Sequence, residues 1–177
     1  MISFLEDGKK FNYRVAAILL NQDRTKVLIQ LIEGRDYYVL PGGRVEWMET
    51  AKEAIKRELF EELEIKDIFP KERIFIETFF DRNSTTKYHE IDNCFLVKLE
   101  KNNEFLEKNS EFYGKEGNFS TFKWIDIADI DKYNIRPNIY KKIIKNYDAP
   151  YEYLVQEEKW YDIIKTKSKI ERNGSKT

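Results

Sequence analysis

Residues 43–65 read GRVEWMETAKEAIKRELFEELEI, and this stretch decides both the fold class and the chemistry. It follows Leu40-Pro41-Gly42-Gly43, which breaks a short apolar run: proline offers no ladder N–H, and paired glycines permit backbone angles that other residues avoid. The expectation is a strand that ends in a loop. From Thr50 no Gly or Pro occurs until Pro70, and Thr50 with Glu53 three residues later has the spacing of a capping box. Ala, Lys, Glu, Leu and Arg fill the turns that follow, which predicts a helix over residues 50–63.

On a wheel of about 100° per residue, Ala51, Ala54, Ile55, Leu59, Leu63 and Ile65 share one arc. Glu58 and Glu62 fall inside it and Glu61 lies at its edge, whereas Glu53, Lys56, Arg57 and Glu64 take the solvent half. A run of charge is usually a solvated helix face. Here that reading fails, because carboxylates on the packing side cost several kcal/mol unless a cation or hydrogen-bond donors neutralise them. A divalent metal is the economical solution.

These residues resemble the Nudix box, G-x5-E-x7-R-E-U-x-E-E-x-G-U with U aliphatic. Gly43, Glu49, Arg57, Glu58, Leu59, Glu61, Glu62 and Ile65 meet it, and one position departs, Glu64 in place of the late glycine. At residue frequencies near 7%, six fixed positions coincide by chance about once in ten million windows. The strand, glycine loop and helix context is that of the motif. The family's glycine allows a left-handed turn after the helix, so Glu64 either bears a strain of about 1 kcal/mol or lets the helix run on.

The resemblance implies an α/β fold, the Nudix α/β/α sandwich with a mixed β-sheet, and metal-dependent hydrolysis of a pyrophosphate bond in a nucleoside diphosphate linked to another moiety. It marks Glu58, Glu61 and Glu62 as metal-binding carboxylates for Mg²⁺ or Mn²⁺, with the carbonyl of Gly42 or Gly43 as a further ligand. Arg57 is the box arginine that pairs with Glu49 and holds the loop against the helix. The general base in the family lies inside or outside the box, and Glu90 is the outside candidate. A non-catalytic nucleotide-binding sensor is the rival, and the intact glutamates and Arg57 count against it. The box reports the bond and not the leaving group, so nucleoside triphosphates, ADP-ribose, sugar nucleotides and dinucleoside polyphosphates all stay open.

His89, the single histidine, is read as an ordinary hydrogen-bonded side chain more readily than as a base. No Ser or Thr has His and Asp partners in any motif, so covalent catalysis is not indicated. Tyr13, Trp47, Phe79, Phe80 and Tyr88 are available for stacking, although most aromatics serve the core.

The rest of the chain is consistent with an enzyme acting on small molecules. Its 177 residues, 41% apolar, suffice for one domain over residues 1–165, followed by a tail at 166–177 expected to be disordered. A net charge of −1 gives no global field for nucleic acid. Cys94 stands alone in an apolar run, which predicts a buried thiol, and no apolar stretch reaches membrane-span length. A cytoplasmic monomer or homodimer is expected.

Alternation and turn signals predict strands over residues 13–20, 26–32, 37–40, 74–80, 92–99 and 119–125, with a turn at 21–24 and a long polar loop at 101–117. Helices are predicted over residues 138–144, opened by Pro137, and over 151–165 from the spacing of Leu154, Trp160, Tyr161 and Ile164.

Overall fold

The computed structural model describes residues 1–66, 68–81, 85–99, 111–115 and 119–159. Its elements are β1 (Ser3–Glu6), β2 (Lys9–Leu19), β3 (Lys26–Ile32), β4 (Tyr38–Val39), α1 (Ala51–Leu63), β5 (Lys71–Asp81), β6 (Lys87–Val97), β7 (Phe112–Tyr113), β8 (Ser120–Asp126), a 3₁₀ turn (Ile127–Lys132), α2 (Ile139–Lys145) and β9 (Glu152–Lys159). Two sheets form, one ordered β1-β2-β6-β5-β9 and the other β4-β3-β8-β7. The first is mixed: β2 runs parallel to β6 and β5 parallel to β9, while the other pairings are antiparallel.

Helices cover both faces of the first sheet, as a sandwich requires. Strand residues alternate sides, so Val15, Ala17, Leu19, Phe95 and Val97 meet Ala54, Ile55, Leu59 and Leu63 of α1. Ala16, Ile18, Cys94, Leu96, Ile74 and Ile76 on the opposite face meet Tyr140, Ile143 and Ile144 of α2. Cys94 is fully buried, and burial pushes its thiol well up from its ordinary value. Strand pattern alone does not separate the second sheet from the first; β3 feeds Val27 and Ile29 to one core and Leu28 to the other.

The capping box forms as the spacing predicts. The Thr50 hydroxyl accepts from Glu53 N at 3.2 Å, and the Glu53 carboxylate accepts from Thr50 N at 2.9 Å. At the other end of α1 the chain keeps the left-handed turn without the glycine: Glu64 has φ 53° and ψ 24°, and its N–H reaches back to Phe60 O at 2.7 Å. A residue with a Cβ bears about 1 kcal/mol there. Glu64→Gly is therefore expected to raise stability by up to about 1 kcal/mol, reduced by loss of the exposed Lys115–Glu64 pair at 3.2 Å. Urea midpoints check it, and an unchanged or lower midpoint contradicts it.

Three expectations need correction. Residues 152–159 are a strand, not part of a helix: Tyr153 and Val155 point outward and Leu154, Gln156 and Glu158 inward, a period of two that the 151–165 helix reading misses. The predicted loop at 101–117 contains β7, which pairs with β8. β2 and β6 also begin earlier than predicted, at Lys9 and Lys87, because their first halves are polar. Residues 100–110, 116–118 and 160–177, including the expected tail, lie outside the described residues.

Candidate active site

Polar residues enter the sheet where hydrophobic pattern stops. Lys10, Asn12 and Arg14 stand on one face of β2 opposite Tyr88, Glu90 and Asp92 of β6. Apart from Asp92, which lies beneath, these residues floor a cavity of about 400 Å³ whose rim includes Gly42, Gly43, Arg44, Glu46, Arg57, Glu58 and Glu61 on one side and Arg35, Tyr37, Phe80, Arg136 and Pro137 on the other.

Glycines allow the helix to approach the sheet. The Gly43 carbonyl accepts from Val15 N at 2.8 Å. A Cβ on Gly43 would lie 2.3 Å from the Glu58 carboxylate, so that carboxylate packs directly on the loop backbone. Gly42 adopts φ 134°, and a Cβ there would meet Val15 O at 2.3 Å, a position only glycine fills without strain.

Arg57 joins the box residues. Its Nε and Nη2 donate to the two oxygens of Glu49 at 2.8 and 2.9 Å, the bidentate geometry of a guanidinium on a carboxylate. Nη1 donates to Glu58 at 2.8 Å and Glu61 at 3.0 Å, and Nη2 also reaches the Arg44 carbonyl at 2.9 Å. The Arg57 hydrogen bonds hold Glu49 below the usual carboxylate range, and those same bonds, with Glu49 foremost, raise the guanidinium. Although the wheel puts Arg57 on the solvent half, its side chain folds back over the loop and is three-quarters covered.

Glu62 is 8% exposed, as its inward angle predicts. It accepts from Gln30 Nε2 at 2.5 Å and from Gly42 N at 3.2 Å, yet burial outweighs these bonds and pushes its carboxyl up to about 8. Burial also raises Glu58, against the pull of Arg57. Glu61 is 40% exposed at the rim. Gln30 is a site residue that sequence reasoning misses; the one polar residue in the run Val27–Ile32 is the available signal, since a buried amide needs a partner.

Among the described residues no three of His, Cys, Asp and Glu converge as a ready-made metal cluster. The reason is visible: Arg57 holds Glu58 and Glu61, and Gln30 with Gly42 holds Glu62. The donor set nevertheless suits a hard divalent cation. All donors are oxygens, they sit at i, i+3 and i+4 of one helix, and two are raised by burial, a penalty that a cation removes.

Glu90 lies in the same cavity. Its carboxylate accepts from Asn12 Nδ2 at 3.1 Å, and Asn12 in turn accepts from the Ser3 hydroxyl at 2.8 Å, a relay that fixes its orientation. His89, next along β6, points to the opposite face, where Nε2 lies 2.6 Å from Glu77 and its ring contacts Phe79 and Phe11. His89, Trp47 and Phe79 are not on the cavity wall, whereas Phe80 and Tyr88 line it.

Behind the floor, Arg14 Nε is 3.5 Å from Asp92, which also accepts from the Tyr140 hydroxyl. Asp92 is 1% exposed, and burial pushes it up to about 6 despite Arg14. A carboxyl raised on folding contributes stability that is complete below its ordinary value near 3.8 and is lost as pH rises through about 6. Stability of the wild type relative to Asp92→Asn should therefore fall by on the order of 2 kcal/mol between pH 4 and pH 6, then level off. Urea titrations across that range measure it, and a flat difference contradicts it.

Comparison with known proteins agrees with this arrangement. The sequence model of the NUDIX domain matches residues 10–147. The fold resembles a mutator MutT protein from Bacillus halodurans, at 19% identity and TM-score 0.54 over 81% of this chain and 89% of that one. It also resembles the E. coli dihydroneopterin triphosphate pyrophosphohydrolase, at 19% identity and TM-score 0.54 over 76% and 93%. Comparison with curated protein sequences finds no match. Because the family match spans more than three-quarters of the residues and contains the whole glycine-loop and α1 constellation, the chain belongs to the Nudix family of pyrophosphohydrolases.

Proposed function

We propose that this Nudix hydrolase cleaves the pyrophosphate bond of a nucleoside diphosphate linked to another moiety, with Mg²⁺ or Mn²⁺ held by Glu58, Glu61, Glu62 and the carbonyl of Gly42. The observation that carries this reading is a cavity lined by Glu58 and Glu61, with Glu62 buried one turn on against the Gly42 N–H, whose floor and rim on that side also bear Arg14 and Arg44. The carboxylates suit a cation, and the guanidiniums suit phosphate oxygens. No helix among the described residues is long and apolar enough to cross a membrane.

The bound cation supplies Lewis-acid polarisation and neutralises diphosphate charge. The chain's own residues do the rest. Arg57 and Glu49 keep the glycine loop against α1, so that Gly43 leaves Glu58 its place. Arg14, braced by Asp92 and the Leu40 carbonyl, orients a phosphoryl oxygen at the floor. Glu90, aimed by Asn12, accepts the proton of the attacking water. A panel of nucleoside diphosphate derivatives, assayed with Mg²⁺ or Mn²⁺ and again with EDTA, tests the activity. In ¹⁸O-labelled water the label should enter a phosphate-bearing product; label only on a sugar carbon or an acyl group refutes the reaction class.

A further inference from the structure

The family match ends at residue 147, but the sheet that floors the cavity continues. β9 adds a parallel edge strand beside β5, with Glu158 opposite Phe80. A carboxylate on the covered side of an edge strand is costly unless partnered. The Glu158 side chain is 6% exposed, and donors converge on it, among them Arg136 Nη1 at 3.1 Å, Gln156 Nε2 at 2.6 Å and the backbone N–H of Asn138. Arg136 and Pro137, the two residues just before Asn138, are cavity wall. Arg136 is itself 12% exposed, and its N–H is bonded to Tyr38 O. A strand outside the family's matched stretch thus fixes one wall of the site.

That wall stands at the end of the cavity away from the carboxylates. Glu158, Phe80, Tyr88 and Lys10 form one row across four strands, and Arg14 with Asp92 forms another, four residues or roughly 13 Å further along. The glycine loop joins the Arg14 row, since Arg14 bridges to Arg44 and Val15 N bonds Gly43 O. Glu90 and Asn12 lie between the two rows. The far row offers a flat surface: the partly exposed Tyr88 ring, backed by the buried Phe80 ring stacked on it at 4.7 Å and 12°, with the Arg136 guanidinium held by Glu158 on the same cavity wall.

The geometry points to β9 as part of the substrate site. The end bounded by Tyr88, Phe80, Arg136 and Pro137 takes the nucleobase of the substrate, and Glu158 is a positioning residue that holds the guanidinium plane and the proline against it. The assignment rests on the proposed function for the direction in which the diphosphate lies. Planar rings and guanidiniums stack on bases, and each such contact changes affinity severalfold or more. A base at this end directs the attached diphosphate along the Asn12–Glu90 row toward Glu58.

The test reads binding by calorimetry on the full chain, without turnover. The probes are the α,β-methylene diphosphates of adenosine, guanosine, cytidine and uridine, and methylenediphosphonate, which lacks the nucleoside. Wild type should bind the best nucleoside probe at least tenfold tighter than methylenediphosphonate. Glu158→Gln, nearly isosteric, should weaken that probe about fivefold and leave methylenediphosphonate unchanged. Arg136→Lys, which keeps the charge and loses the plane, should give the same signature if Glu158→Gln folds poorly. Equal losses on both probe types, no loss in either variant, or no preference for a nucleoside in wild type overturns the inference. If the selective loss is found and no diphosphate derivative is hydrolysed with Mg²⁺ or Mn²⁺, the subsite stands and the proposed function fails; if hydrolysis is found without selective loss, the proposed function stands and the subsite fails.

Discussion

Replacing Glu58 and Glu62 together by Gln is expected to lower kcat by about 10³-fold or more and to abolish the response of the protein to divalent cations. The size follows from several kcal/mol of transition-state charge stabilisation at about 1.4 kcal/mol per tenfold. Both side chains are largely covered, 14% and 8% exposed, so the substitution removes charge and leaves shape nearly intact. In wild type, a cation at a hundredfold excess over its Kd stabilises the folded state by about 2.7 kcal/mol, which for a chain of this length raises Tm by roughly 5–10 °C. The double variant should show almost none of that rise. Thermal melts with and without millimolar Mg²⁺ or Mn²⁺ decide the matter, and equal shifts in the two proteins would remove the basis for a metal at these glutamates.

Arg57→Ala should reduce activity by about 10–100-fold, the usual range when a residue that orients metal ligands is lost. Four acceptors depend on this one guanidinium: Glu49, Glu58, Glu61 and the Arg44 carbonyl. Lysine keeps the charge but cannot reproduce the paired bonds to Glu49, so Arg57→Lys should recover only part of the loss. Activity of the alanine variant equal to wild type would contradict the bracing role.

Much of this site is legible in the sequence because its residues are consecutive turns of one helix. The 3.6-residue period carries Glu58 and Glu62 to the buried side and Glu61 to the rim, and a capping box announces where the period starts. Partners contributed by other strands are harder to see. Lys10, Asn12 and Glu90 occupy strand positions that are polar because they face the cavity, so the hydrophobic alternation that marks a strand is missing where the strand carries function. The predicted starts of β2 and β6 are late for this reason. β9 is misread on different grounds: an edge strand buries only one row, and Leu154, Gln156 and Glu158 give too weak an apolar signal to compete with the helical spacing of the aromatics beyond it.

The pairing of β2 with β6 has a consequence for the order of events in folding. Lys9 to Leu19 pair in parallel with Lys87 to Val97, each residue with a partner 78 positions away. α1 is local and can form within microseconds, whereas the encounter of strands so distant in the chain belongs to the slow, high-contact-order regime of milliseconds to seconds. Asn12 meets Glu90 only when that ladder closes. The helix bearing the carboxylates can therefore exist well before the cavity that gives them a substrate, and competence arrives with the last long-range registration of the sheet.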